Sequence, residues 1–270
     1  MVVAAITQTL ILRLLLVFFL SVNFQTMVQP RSLASEDLAI AKNYLQAFGY
    51  LAQNNGSTPL EDHMEAATRK FRELYNLNVS GKLDDETMKA MSKCRCGVPD
   101  TYRGQPRTWP PNKRHLTYSI NSSQVETMSL DILRPVFRLA FVQWSQVTSF
   151  TFAEAAFGTA SDIVIGVYCS DHGDSFPFDG PGNVLAHAFP PTDGRLHYDG
   201  DEQWSSLVPP QPDDAFDLVW VAIHEIGHLL GLAHSNDPSA IMFAEVDSGK
   251  NKRTLGADDI AAIKALYPHA

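Results

Sequence analysis

Two histidines four residues apart, His224 and His228, enclose a glutamate in the run His224-Glu225-Ile226-Gly227-His228. On a helix that spacing puts both imidazoles on one face, where they can share a single metal ion. Glu225 beside them suits a general base acting on water polarised by that metal. Gly231 permits a sharp turn, with positive φ, that would bring His234 back to complete a set of three imidazoles. Three protein ligands leave a fourth position open, which marks a catalytic zinc rather than a structural one. The competing reading is an amphipathic helix with hydrogen-bonded histidines, and the added glycine and third histidine argue against that coincidence.

A second set, His172, Asp174, His187 and His197, supplies four protein ligands and predicts a closed, tetrahedral structural zinc. The turn Asp179-Gly180-Pro181-Gly182 is rich in oxygen, with Val184 just beyond it and Asp199 and Glu202 past His197. Carboxylate and carbonyl oxygens of this kind suit calcium. The alternative is a group of solvated acidic turns.

These residues must be positioned by the rest of a 270-residue chain that is 45% hydrophobic and 19% charged, an ordinary globular composition with room for two modest domains. A net charge of −9 argues against a nucleic-acid partner, because phosphate binding needs a basic surface. Three cysteines, Cys94, Cys96 and Cys169, are too few for a disulfide framework. The apolar opening, with Leu14 to Leu20 unbroken after Arg13, suits a secretory signal over residues 1–28 and is too short to span a bilayer; a signal anchor is the competing reading. On the secretory route, Asn55, Asn78 and Asn121 head N-x-Ser acceptors for glycans. The C-terminal residues carry no hydrophobic tail for a lipid anchor.

Residues from about Ser35 to Lys93 read as three short helices sharing one interior. Leu38, Ala41, Leu45, Phe48 and Leu51 form the first stripe, and Met64, Ala67, Phe71 and Leu74 the second, after a capping box at Thr58-Pro59-Leu60-Glu61. Asp84 caps the third helix, with Leu83 against Met88. The stretch from Gly97 to Pro111 reads as an exposed linker. Beyond it lie strands at His115–Ile120, Ser161–Tyr168 and Val184–Phe189. Helices are expected at Leu130–Val147, where Pro135 requires a first-turn position, at Asp217–Leu230 and at Ala257–Leu266. Strands and helices without regular alternation predict an α+β fold with a mixed twisted sheet. The expected division is a signal at 1–28, a helical prodomain at 29–106 and a catalytic domain at 107–270.

With these motifs in place, the chain resembles the matrix metalloproteinases, or matrixins, from its apolar start to its last helix. The extended zinc motif is followed by Ser235, as in that family, and Ala240-Ile241-Met242 stands where its Met-turn lies. The resemblance implies that Met242 floors the zinc site. Cys94-Arg95-Cys96-Gly97-Val98-Pro99-Asp100 is similar to the family's propeptide switch, which makes Cys96 a thiolate ligand that plugs the fourth zinc position. Arg95 would pair with an acidic group to fix that segment. For Cys96 the alternative is a disulfide, with Cys169 the more feasible partner because cysteines two apart bond poorly. Strings such as Ala186-His187-Ala188-Phe189-Pro190-Pro191, and the absence of a hemopexin-like domain, look like compact plant members. Three departures stand out. Cys94 replaces the usual proline, the loop from His187 to His197 is short, and Phe243-Ala244-Glu245-Val246 lacks the usual proline and tyrosine of the specificity wall. The short loop leaves Asp162 and Asp193 as weak candidates for a second calcium.

The reading implied is a secreted, latent, zinc-dependent endopeptidase that also binds calcium and is released by cleavage of its prodomain. Its partners would be extracellular protein substrates and an activating protease, and the chain would be a monomer. Substrate would extend along Val184–Phe189, past Ala188, with Trp220 limiting the depth of the S1′ pocket. The alternative class is a secreted metal-dependent binding protein, or pseudoenzyme, that keeps its prodomain.

Overall fold

Apolar residues at helical spacing dominate the first third of the chain, and three helices form there: α1 (Ser35–Ala47), α2 (Leu60–Leu74) and α3 (Asp85–Met91). This is a computed structural model, and it describes residues 35–51, 60–101, 107–121, 125, 128–156, 159–210 and 212–268. The expected signal segment, the capping box at Thr58 and Pro59 and the acceptor at Asn55 lie outside those residues. Ala41 and Leu45 of α1, Met64, Ala67 and Phe71 of α2 and Met91 of α3 close one core with Phe48, Tyr50, Leu51 and Tyr75. Leu38, expected in that stripe, is 48% exposed, because the buried face of α1 begins at Ala41. Asp84 caps α3 by accepting from the Thr87 amide. Arg72, buried in the bundle, donates to Asp84, Glu86 and Thr87 and so clasps α2 to α3.

The remaining elements are β1 (Arg95–Cys96), β2 (His115–Ile120), α4 (Leu130–Ser145), β3 (Thr151–Glu154), β4 (Ile163–Tyr168), β5 (Val184–Ala188), β6 (Arg195–Asp199), β7 (Trp204–Ser205), β8 (Phe216–Asp217), α5 (Leu218–Leu229) and α6 (Ala257–Leu266). Six strands form one sheet in the order β1-β5-β6-β4-β2-β3, and β7 pairs with β8. Among the described strand pairs β5 with β6 is antiparallel and the others run parallel. The fold is therefore the expected α+β arrangement, with a mixed sheet and three helices behind a small helical bundle. From Asp37 onward the chain forms one compact body. No helix among the described residues is long and apolar enough to cross a membrane.

Helices α4 and α5 cover the sheet. Leu133, Val136, Phe137, Ala140, Phe141 and Trp144 recur every three or four residues and bury one face of α4. Every residue of α5 is buried, so its apolar side chains can surround the axis. The Trp144 indole donates to the Ile223 carbonyl and ties the two helices together. Pro135 lies inside α4, past the first turn, contrary to expectation. It sits on the exposed face, where the carbonyl of Asp131 that it leaves unpaired can turn to water.

The segment read as an exposed linker is pinned at both ends. Val98 and Trp109 are buried. The Trp109 indole donates to the Leu229 carbonyl at 2.8 Å, and its main-chain N–H donates to the Tyr267 hydroxyl at 3.0 Å. A large aromatic recovers enough buried area to override the polar, proline-marked composition around it.

Candidate metal centre and catalytic cleft

Helix α5 starts at an Asp217 cap, whose carboxylate accepts from the amides of Val219 and Trp220. Two turns on, it presents His224 and His228 on one face. The chain leaves the helix through Gly231 at φ +99°, where a Cβ would fall 2.1 Å from the Arg107 carbonyl oxygen. Conformation and space both require glycine there. The turn returns His234, and the three Nε2 atoms converge, with separations of 3.0, 3.1 and 3.3 Å.

Each Nδ1 has an acceptor: the Ile241 carbonyl for His224 at 2.7 Å, the Leu232 carbonyl for His228 at 2.8 Å, and the Asp100 carboxylate for His234 at 2.6 Å. Those acceptors place the ring protons on Nδ1 and turn three lone pairs toward one point. Burial holds all three imidazoles neutral, with His224 lowered to about 3. Three lone pairs packed this closely repel unless a cation lies between them, so the donor set fits zinc.

Glu225 is fully buried, and neither carboxylate oxygen has a hydrogen-bond partner among the described residues. Burial pushes its pKa up to about 8, with the nearby Cys96 thiol pulling the other way. A buried, unpartnered carboxyl beside a ligand cage is poised to exchange a proton.

The Cys96 sulfur lies within 4.8 Å of the ligand nitrogens of His224, His228 and His234. Its backbone forms β1 beside β5, with Arg95 opposite Val184 and Cys96 opposite Ala186. The Arg95 and Gly97 amides donate to the carbonyls of Asn183 and Ala186, the Cys96 amide donates to the Ala244 carbonyl, and the Cys94 carbonyl accepts from the Val246 amide. The segment therefore lies in the cleft as a strand held on both edges. Burial and the Glu225 carboxylate push the Cys96 thiol well above its ordinary range, so a thiolate at this depth needs a cation to hold it. Cys94, Cys96 and Cys169 are all free.

Arg95 does pair with an acidic group. Its guanidinium donates to both Asp100 oxygens at 2.5 and 2.9 Å and to the hydroxyls of Tyr44 and Tyr75, and it stacks 3.6 Å over the Phe48 ring. Burial alone would raise Asp100, yet Arg95 and His234 together hold it well below the carboxylate range. Asp100 was not among the expected site residues; its position five residues after Arg95 was the available signal.

The second set also converges. The Asp174 Oδ2 lies 2.8 Å from His172 Nε2, 2.7 Å from His187 Nε2 and 2.8 Å from His197 Nδ1. All four side chains are buried. The loop with the expected calcium oxygens is looser. Glu202 accepts from the Gly182 amide and Asp179 from that of Val184. Burial pushes Glu202 up to about 7, reinforced by the charges of Asp199 and Asp179. Gly180 and Gly182 both take positive φ, and one oxygen of fully buried Asp199 has no hydrogen-bond partner among the described residues. These features fit a hard cation. The same Asp199 also comes within 4.8 Å of Asp201 and Cys169, two residues that sequence reasoning left out. Asp162 instead caps the Thr117 amide and pairs with Lys113, and Asp193 pairs with Arg195.

Beneath the first cage, a Cβ on Gly227 would fall 2.3 Å from the Met242 sulfur, so that side chain packs directly under the helix between His224 and His228. Buried Asp259 accepts from the amides of Ile241, Met242 and Gly256, which fixes the turn whose carbonyl orients His224. This role for Asp259 went unrecognised in the sequence. Trp220 is buried one turn before His224, with the Lys252 ammonium 4.7 Å over its ring. Beside β5 a groove of about 200 Å³ is lined by Gly97, Pro99, Phe176, Ala188, Phe189 and Pro190.

Comparison with known proteins agrees with this geometry. The matrixin family model matches residues 108–268, and a model described as a peptidoglycan binding domain matches residues 34–91. The chain is 38% identical over 259 residues to Metalloendoproteinase 5-MMP of Arabidopsis thaliana, covering 85% of this chain and 71% of that protein. It is 38% identical over 252 residues to Metalloendoproteinase 1 of Glycine max, covering 85% and 81% respectively. It is also 38% identical over 234 residues to Interstitial collagenase B of Mus musculus, covering 83% and 48%.

Proposed function

The chain belongs to the matrixin family and is a zinc metalloendopeptidase, and we propose that it is made as a secreted, latent precursor whose own Cys96 closes the catalytic cleft. The observation that carries this reading is the four-atom convergence of Cys96, His224, His228 and His234. His224, His228 and His234 would hold the zinc, with Met242 as their floor. Zinc bound there supplies a Lewis acid that polarises the scissile carbonyl and acidifies water. Glu225 takes the proton of the attacking water on a carboxylate oxygen and delivers it to the leaving amine nitrogen. His172, Asp174, His187 and His197 would hold a structural zinc. Asp179, Asp199 and Glu202, with the carbonyls of Gly180, Gly182 and Val184, would hold calcium.

Substrate would add to the edge of β5, past Ala188, on the line taken by β1 in the precursor. Residues 1–28 act as the signal, 29–106 as the prodomain and 107–270 as the catalytic domain. The indole of Trp220 shortens the S1′ pocket and favours small apolar residues there; its burial one turn before His224 supports that role.

One experiment tests the whole reading. The purified precursor is treated with an activating protease, its mass is followed, and a peptide library is digested. Hydrolysis should appear as the chain shortens to the size of one domain, stop on chelation, and select small apolar P1′ residues. A shortened chain that cuts nothing would leave a binding protein; preference for long or aromatic P1′ side chains would remove Trp220 from its role.

A further inference from the structure

The three candidate zinc histidines are not oriented from the same part of the molecule. His224 and His228 donate to Ile241 and Leu232 carbonyls, both in the segment that follows α5. His234 donates to Asp100, 134 residues earlier, on the segment that carries Cys96. The His234 and Asp100 side chains are both fully buried. Asp100 is fixed in turn by two bonds from Arg95 and one from the Tyr50 hydroxyl at 2.6 Å. Arg95 and Tyr50 belong with the prodomain, so the carboxylate and everything that holds it depart together.

We infer that Asp100 is a positioning residue for His234 supplied by the pro-segment, so that activation strips the cage of an outer carboxylate as well as of the Cys96 thiol. The inference rests on the zinc reading above and concerns how that site is regulated. A carboxylate on the far nitrogen fixes the ring orientation and makes the imidazole a stronger donor. In the precursor, His234 therefore holds zinc more tightly than the same residue does once water replaces Asp100. The prodomain both blocks the open position and damps the electrophilicity of the metal. The mature site, with two carbonyl-bound imidazoles and one solvated imidazole, is the more reactive and the more easily emptied.

The test measures release of zinc from the full-length precursor to a chromophoric chelator, comparing the wild type, Asp100→Asn, Cys96→Ser and the double variant. Loss of an outer carboxylate typically costs 10–100-fold in metal affinity. Asp100→Asn should therefore speed release by about 10-fold or more, in the Cys96→Ser background as well as in the wild type. If Asp100 merely holds the switch segment in place, the substitution adds nothing once the thiol is gone, and that result overturns the inference. Release within twofold of the wild type in both backgrounds overturns it too. A second measurement needs no variant: proton spectra of the cobalt-loaded mature protein should contain one slowly exchanging imidazole N–H signal fewer than those of the precursor, the one lost being that of His234, while the histidines of the second cluster contribute equally to both. An unchanged number of such signals after activation refutes the role of Asp100. A wild-type precursor that takes up no zinc or cobalt instead refutes the metallopeptidase reading, so the two failures are distinguishable.

Discussion

Glu225→Ala is expected to leave zinc uptake unchanged and to lower peptide hydrolysis by a factor on the order of 10²–10⁴, the usual contribution of a positioned proton-transfer group. The reasoning starts from burial. Glu225 has no exposed surface and no hydrogen-bond partner for either oxygen among the described residues, an arrangement that costs stability and is kept where function requires it. The three ring nitrogens that face the metal are oriented by Ile241, Leu232 and Asp100, not by Glu225. Removing the carboxyl should therefore spare the cage and remove the proton carrier. Metal content by elemental analysis, paired with initial rates on a quenched peptide, checks both halves. Wild-type turnover in the variant would refute the assigned base, and loss of zinc would make Glu225 a structural residue.

Cys96→Ser is expected to give an uncleaved precursor that hydrolyses small peptides at least about tenfold faster than the wild-type precursor, a change of about 1.4 kcal/mol in the closed state. A hydroxyl is a far poorer zinc ligand than a thiolate at neutral pH. Full activity should not appear. The segment keeps its main-chain bonds to Asn183, Ala186, Ala244 and Val246, each contributing roughly 0.5–1.5 kcal/mol, and Arg95 stays anchored to Asp100, Tyr44 and Tyr75. Residual occlusion by a bound strand is the predicted state, relieved only when the prodomain is cut away. The comparison of intact and cleaved forms by mass and rate decides it. An intact Cys96→Ser precursor as silent as the wild type would mean that the bundle alone enforces latency.

The grouping of the candidate catalytic residues was legible because its geometry is local. His224, Glu225 and His228 lie within five consecutive helical residues, and Gly231 supplies the turn that returns His234 within six residues of His228. The second imidazole set was legible from residue type, since histidines and an aspartate in such density have few other uses. What sequence reasoning missed is long-range. β1 has two residues and no periodicity of its own, and it exists because β5 and the chain at Ala244 and Val246 offer it edges. β3 and β6 are also short, and each is defined by a parallel or antiparallel neighbour rather than by an alternating pattern. Asp100 follows a proline and reads as a turn residue, but its partner is His234. Trp109 sits in a polar stretch yet reaches Leu229 at the end of α5. Asp259 reads as a first-turn acid of α6, which it is, but its carboxylate also holds the turn at Ile241 and Met242.

The most direct measurement is zinc analysis of the mature domain beside its rate of peptide hydrolysis, before and after chelation. Zinc is expected in both imidazole clusters, with hydrolysis lost when the cage of His224, His228 and His234 is emptied and recovered when zinc is returned. Undiminished hydrolysis by a zinc-free protein would contradict it.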